Sequence, residues 1–519
     1  MENNSGHWTD FVAEKIIREK GDKETYTIAS GITPSGVVHI GNFREIITVE
    51  LVKRALESKG KKVRFIYSWD NYDVFRKVPK NMPKQEMLTE NLRKPIVDIE
   101  DPFGEEESYA RHHEVKVEED IKEVGIEPEF IYQAKKYRNC DYGDQIIVAL
   151  DNREKIKKII NDYRQEPLED DWYPISGYCP KCNKDNVKFS NYHDGLITMK
   201  CQDCDYDQEI EIKKSSFIKL PWRIDWPMRW AYEKVDFEPG GKDHSTVGGS
   251  FTTAQEIVKI YDWEAPVYQM YDFIRIKGGG GKISSSSGDV ITLRECLEIY
   301  EPAIVRYLFA GTRPNREFAI SFDVDVLNIY EEFDKVERIY FGEEKVKEKD
   351  EAKLKRAYEL SCPWKVPKVL PYQPSFRHLT NLLQINDFDK EKLLEHYGKD
   401  LNEEDKKRLL LRASCAENWV KKYAPEEFKF KLQQQCLVTL VDQEKEMLHL
   451  FADKLLEREW TPLDLHEEIY ILCKNKEFPI SDFFRINYQV LINKDKGPRL
   501  ASFVLEIGRE KVAELLKKV

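Results

Sequence analysis

Tyr26-Thr27-Ile28-Ala29-Ser30-Gly31-Ile32-Thr33-Pro34-Ser35-Gly36-Val37-Val38-His39-Ile40-Gly41-Asn42 is the stretch that decides the fold. Its opening, Tyr26 to Ile32, is a short apolar run that reads as a buried strand. Thr33, Pro34, Ser35 and Gly36 then make a turn. A helix is expected from about Gly41, with Ile46, Ile47, Leu51, Val52 and Leu56 on its apolar face and its end at Gly60. The following KKVRFIYSWD is a second buried strand that turns polar at Asp70. Strand, turn, helix, strand is the opening of a doubly wound parallel sheet, an α/β fold in which ligands bind at the carboxyl ends of the strands. Thr33 to Asn42 and Asp70 to Asp73 should therefore surround one cleft.

Before this stretch, an amphipathic helix is expected up to Lys20, with Phe11, Val12, Ile16 and Ile17 as its apolar side. After it, from about Pro95 to Phe217, the sequence is acidic, partly helical and holds clustered cysteines, which reads as an insertion between two halves of the sheet. Alternation resumes in IKLPWRIDW and in Pro266 to Ile274. Leu293 to about Tyr340 reads as helical, and the charge-rich Glu343 to Glu359 as a solvated helix or linker. Amphipathic helical patterns then run to Val519, making a mostly α-helical C-terminal domain. The expected organisation is residues 1–95, first half of a Rossmann-type domain; 96–217, inserted subdomain; 218–290, second half; 291–345, a helical segment; and 346–519, the helical domain.

With 519 residues, the chain is too long for one core. A hydrophobic fraction of 41% beside 34% charged residues fits a soluble globular protein. The absence of a long apolar run or a signal-like start points to the cytoplasm and away from membranes. The net charge of −12 argues against a bulk-charge nucleic-acid binder, though a basic face can sit on an acidic body. No coiled-coil pattern is present, which favours a monomer.

Two short motifs carry the chemistry. Pro34-Ser35-Gly36-Val37-Val38-His39-Ile40-Gly41-Asn42 suits phosphate binding, because small residues let the backbone approach and a helix start offers N–H groups and positive potential. His39 adds a donor; the alternative for such a His is a cap or core residue. Gly278-Gly279-Gly280-Gly281-Lys282-Ile283-Ser284-Ser285-Ser286 follows a buried strand and joins a mobile glycine hinge to one cation and several hydroxyls; taken alone it would be a linker. A third motif, Cys179-x2-Cys182 and Cys201-x2-Cys204, has the spacing of two knuckles that complete a tetrahedral, closed and therefore structural Zn²⁺ site.

His39-Ile40-Gly41-Asn42 resembles the HIGH signature of class I aminoacyl-tRNA synthetases, and Lys282 to Ser286 resembles their KMSKS loop. The TPSG turn, SWDNYD, WRIDWPMRW, GGKDH and the late Gly497-Pro498-Arg499-Leu500 are similar to class I lysyl-tRNA synthetases over essentially the whole chain. Glutamyl enzymes carry an arginine seven residues before the turn glycine, where Ala29 stands here. A loop lysine common in the family is replaced by Ser287.

The resemblance implies an enzyme that joins L-lysine to ATP, with Mg²⁺, as lysyl-adenylate, and passes lysine to the terminal ribose of lysine tRNA. It implies that His39, Gly41 and Asn42, then Lys282, Ser284 and Ser285, contact ATP. Lysine would meet Gly31, Thr33, Asp70, Trp222, Trp230 and His244, with Asp70 holding one of its two ammonium groups. A second metal site at Asp101, Glu105, Glu106 and His112 is implied too; an acidic surface is the alternative, and His113 competes with His112 as ligand. The C-terminal domain would read the anticodon, with Trp460, Phe483, Phe484, Arg485 and Arg499 available. A glutamate-specific relative, a nucleotidyltransferase of the same superfamily and a non-catalytic zinc-containing RNA-binding protein are the competing readings.

Overall fold

The computed structural model describes residues 6–246, 248–277, 290–398 and 401–519. The Lys282 to Ser286 motif and Ser287 lie outside the described residues. The chain divides into two compact units. One comprises 1–296, 302–320 and 336–366; the other comprises 297–301, 321–335 and 367–519.

In the first unit, α1 (Trp8–Lys20) precedes β1 (Thr25–Ile32), α2 (Ile40–Ser58) and β2 (Lys62–Trp69). All eight residues of β1 pair in parallel with β2, from Thr25 opposite Lys62 to Ile32 opposite Trp69. The apolar stripe read on α2 is buried throughout. On α1 the buried apolar residues are Trp8, Val12, Ala13 and Ile16, spaced as one helix face; Phe11 projects 47% exposed, off that face.

The sheet is five-stranded and parallel. β3 (Glu129–Tyr132) flanks β2, the strand Val235–Gly241 flanks β1 on the other side, and Val267–Tyr271 closes that edge. In chain order this is 3-2-1-4-5, so the order in which strands are added reverses between β1 and Val235–Gly241, and the crevice at that reversal is where such sheets bind ligands.

Three expectations need correction. β3 belongs to the main sheet, so the sheet continues past residue 95; the crossover helix Tyr109–Glu123 returns the chain to it. IKLPWRIDW, read as alternating, holds only the short strand Ile218–Lys219 before the chain enters the helix Trp222–Glu233, which accommodates Pro227. Its tryptophans recur every fourth residue, the period of a helix face. The segment Leu293 to Tyr340 contains the strand Phe318–Ser321 between its helices.

The cysteine-bearing subdomain is a three-stranded antiparallel meander, Val187–His193, Leu196–Cys201 and Asp207–Glu211. A two-stranded antiparallel pairing of Ser176–Gly177 with Ile218–Lys219 ties its two ends together.

The second unit is helical. Arg412, fully buried, is matched there by Glu301 (2.5 Å), Asp334 (2.8 Å) and the carbonyl of Pro374 (2.9 Å). Of the aromatic and cationic residues available for base contacts, Phe483 is core and Arg485 is paired with Glu444, so neither presents a free platform. Among the described residues no helix is long and apolar enough to cross a membrane.

Candidate functional site

The turn between β1 and α2 is held as a shaped surface. His39 caps α2, and its backbone N–H donates to Asn42 Oδ1 at 3.2 Å, half of a reciprocal capping arrangement. A β-carbon at Gly41 would lie 2.8 Å from two atoms of the His39 ring, so only glycine lets the imidazole lie over the first turn. The Tyr109 hydroxyl donates to Ser35 O, and Thr33 Oγ1 donates to Asp73 (2.9 Å). Lys219 lies 2.6 Å from Asp73; burial alone would raise that carboxyl, but Lys219 and the hydrogen bonds hold it below its usual range. No acid occupies the first turn of α2, which keeps its positive end open to an anion.

Two connected cavities occupy the crevice. The larger, about 630 Å³, is lined by the turn, including Gly31, Thr33, His39, Gly41 and Asn42, and by Asp70, Trp222 and His244. Beneath it lies a cavity of about 80 Å³ lined by Ala29, Gly31, Asp70, Trp222, Trp230 and His244, among others. All six residues expected to meet the amino acid thus line one or both cavities.

Asp70 already has a cationic partner. Its carboxylate receives Arg229 at 2.6 Å rather than standing free. Arg229 also donates to Ser68 Oγ (2.7 Å) and reaches Asp225 (3.2 Å), so Asp70 and Asp225 share one buried guanidinium. Burial raises the Asp70 carboxyl and Arg229 opposes that rise.

Two carboxylates that the sequence reading passed over face the cavities instead. Glu238, 8% exposed, accepts from the indole N–H groups of Trp226 (3.0 Å) and Trp230 (2.5 Å). Burial pushes its carboxyl up to about 7, and neighbouring Glu45 adds to that rise. Glu45 accepts from Gly31 N (3.1 Å), Ser30 Oγ (3.0 Å) and the Tyr271 hydroxyl (2.6 Å), and burial raises it too. Neither makes an ion pair among the described residues. Glu238 lines only the small cavity, whereas Glu45 lines both. Trp222, 37% exposed, stacks on buried Trp226 with centroids 5.1 Å apart.

The four clustered cysteines converge. Their sulfurs lie within 4.8 Å of one another, with Cys179–Cys204 at 3.5 Å and Cys182–Cys201 at 3.7 Å. Backbone N–H groups of Lys181 and Asp203 each point at the first sulfur of a knuckle (3.4 Å), and the set fits a tetrahedral four-thiolate ion.

At the proposed second metal site, Asp101 accepts three backbone N–H bonds, from Phe103, Glu105 and Glu106, and stands 3.3 Å from His112 Nδ1. Glu105 reaches the same nitrogen at 3.5 Å; Glu106 is joined through its backbone. His113 turns away and packs edge-on against Tyr109.

A family model described as tRNA synthetases class I (K) matches residues 6–363. A relative from Borreliella burgdorferi named lysine–tRNA ligase is 50% identical, over 99% of this chain and 99% of its own. Relatives of that name from Treponema pallidum and Thermococcus kodakarensis are 46% and 44% identical, each over 98% of this chain and 98% and 99% of theirs. A doubly wound sheet with its crevice at the reversal of strand order, a shaped turn at a helix start and a match across the whole chain agree: the chain belongs to the class I tRNA synthetases of the lysine type.

Proposed function

We propose that the protein activates L-lysine with ATP and transfers it to lysine tRNA. One observation carries the choice of amino acid: the small cavity holds Glu238 and Glu45, two carboxylates without an ion pair among the described residues, and has Ala29 where a carboxylate-binding arginine would stand. Lysine brings two ammonium groups. Glu238, in the small cavity alone, takes the ε-ammonium; Glu45, at the junction, takes the α-ammonium. That orientation leaves the α-carboxylate facing the larger cleft. Asp70 then acts as a positioning residue, fixing Arg229 against the cavity wall. Gly31 and Thr33 shape the floor of the junction, and Trp222, Trp230 and His244 enclose the aliphatic stem.

ATP, arriving with Mg²⁺, lies in the larger cleft with its phosphates toward the start of α2, contacted at His39, Gly41 and Asn42. Lys282, Ser284 and Ser285 are assigned to the phosphates from sequence alone. A lysine carboxylate oxygen attacks the α-phosphorus, the bond to the bridging oxygen breaks, and pyrophosphate leaves. A terminal ribose hydroxyl of the tRNA, the 2′-hydroxyl by family, then attacks the adenylate carbonyl and AMP leaves. Neither step needs a protein nucleophile; alignment and charge stabilisation suffice. The four cysteines hold a structural Zn²⁺ that takes no part in either step. The helical unit reads the anticodon.

ATP–pyrophosphate exchange tests this, run against each amino acid with and without tRNA. Lysine-dependent exchange is expected. Exchange with glutamate would overturn the pocket assignment and keep the class; no exchange with any amino acid, tRNA present, would favour the non-catalytic reading.

A further inference from the structure

We infer that the segment from Arg76 to Lys84 is a phosphate rail that guides the single-stranded 3′ end of the RNA through a second cleft into the adenylate site, an inference that rests on the function proposed above. The sequence Phe75-Arg76-Lys77-Val78-Pro79-Lys80-Asn81-Met82-Pro83-Lys84 places four cations in nine residues with no acid between Asp73 and Glu86, in a chain of net charge −12. Arg76, Lys77 and Lys80 are exposed and make no ion pair among the described residues; Lys84 stands 3.7 Å from Glu100. Arg76, Lys77 and Lys80, unpaired among the described residues, suit an external polyanion.

Their backbone is fixed. Phe75 and Met82 are buried in one apolar cluster with Leu88, Ile96 and Tyr109. Phe75 exchanges hydrogen bonds with Lys94 O and Arg93 N, and the Gln85 amide donates to Pro79 O (2.9 Å) and Met82 O (2.7 Å). Pro79 lies 3.3 Å from the position a β-carbon would take on Gly36, so the loop rests against the phosphate-binding turn itself.

Arg76 and Lys77 line a cavity of about 530 Å³, whose other walls include Tyr178, beside the first cysteine knuckle, and Trp222. This cavity shares Thr33, Ser35, Asp73 and Trp222 with the ATP cleft. A strand following it would therefore reach the adenylate past Thr33, Ser35 and Trp222. Trp222, the exposed member of the tryptophan stack, stands at the junction as a platform for a terminal base. ATP does not account for the rail, because its phosphates are assigned to the start of α2, and Arg76, Lys77 and Lys80 do not line that cleft.

The test compares the full-length protein with its R76A/K77A/K80A variant. Each is titrated, at several salt concentrations, with lysine tRNA transcript and with the same transcript lacking its unpaired 3′ nucleotides. Expected are binding of the intact transcript weakened on the order of tenfold and a salt slope shallower by about two, at about 0.7 per single-strand phosphate contact. The truncated transcript should bind both proteins alike, and the KM for ATP should stay the same. An R76K/K80R variant, keeping charge, should restore binding and controls for folding. Equal losses on both transcripts, or a raised KM for ATP with unchanged RNA binding, would overturn the rail alone. Wild-type protein that binds neither transcript would overturn the functional reading and the rail with it.

Discussion

Lysine affinity should rise about tenfold per pH unit up to near pH 7 and then level off. Burial lifts the Glu238 carboxyl from its ordinary 4.5 to about 7, so the lysine-free pocket is protonated there in mildly acidic solution. An ammonium requires the anion, so binding lysine expels that proton, at about 1.4 kcal/mol per pH unit below 7. The whole displacement is worth about 3 kcal/mol. The same number governs stability with the opposite sense. A carboxyl raised in the folded state contributes stability that is complete below 4.5 and lost as pH climbs through 7, so the lysine-free protein should be weakened toward neutral pH and lysine should recover the loss. Trp222, Trp226 and Trp230 surround the cavity, so their fluorescence can follow lysine titrations from about pH 5.5 to 8.5 without ATP. Glu238→Gln should bind lysine at least a hundredfold more weakly at pH 8, since breaking a buried charge pair costs about 3–5 kcal/mol. Its residual affinity should not vary with pH across this range. A wild-type affinity flat between pH 5.5 and 7, or a Gln variant that keeps the slope, would refute the assignment of the ammonium to Glu238.

Gly41→Ala should raise the KM for ATP tenfold or more with little change for lysine, because the new methyl must displace the His39 ring; steady-state exchange kinetics separate the two. Cys201→Ser should lower the zinc content measured by mass spectrometry from one ion per chain and lower the melting temperature, since closed four-ligand sites contribute directly to folding. Arg229→Met should destabilise the protein by about 3–5 kcal/mol in urea, as it leaves Asp70 and Asp225 buried without a cation.

The strand-turn-helix-strand opening was legible because each element kept its own period: an apolar run, a small-residue turn, then a helix stripe. IKLPWRIDW misled because Trp222-Arg223-Ile224-Asp225-Trp226 alternates apolar and polar residues. Val235–Gly241 was invisible for a related reason. VDFEPGG carries two acids, a proline and two glycines, the composition of a turn, yet all seven residues are buried. Its carboxylates face the cavity or are paired: Glu238 lines the small cavity and Asp236 binds Lys23 and the backbone of Thr27. Glu45 was hidden differently. A glutamate on a helix reads as solvent-facing, and only the sheet packing turns this one toward Gly31 and Tyr271. The cysteine spacing needed no tertiary information, since each ligand pair is local.

Selection in this pocket works by the sign of charge, and Ala29→Arg tests that most directly. Arg229 is already engaged by Asp70 and Asp225, and the carboxylates lining the cavity without an ion pair among the described residues are Glu238 and Glu45. Two ammonium groups satisfy both; glutamate would bring one ammonium and two carboxylates, leaving acid against acid. A guanidinium at position 29 would enter a cavity of about 80 Å³, fill much of it and be drawn to the two glutamates. Overpacking would cost about 1–3 kcal/mol of stability. Lysine exchange should be lost, because the ammonium's place is taken. Glutamate exchange should not appear, because the new cation is spent on Glu238 and Glu45 rather than offered to a substrate. Only A29R combined with Glu238→Gln should free it enough for measurable glutamate exchange. Glutamate activation by A29R alone would mean that the two carboxylates do not define the pocket, and that residue 29 by itself sets the amino acid.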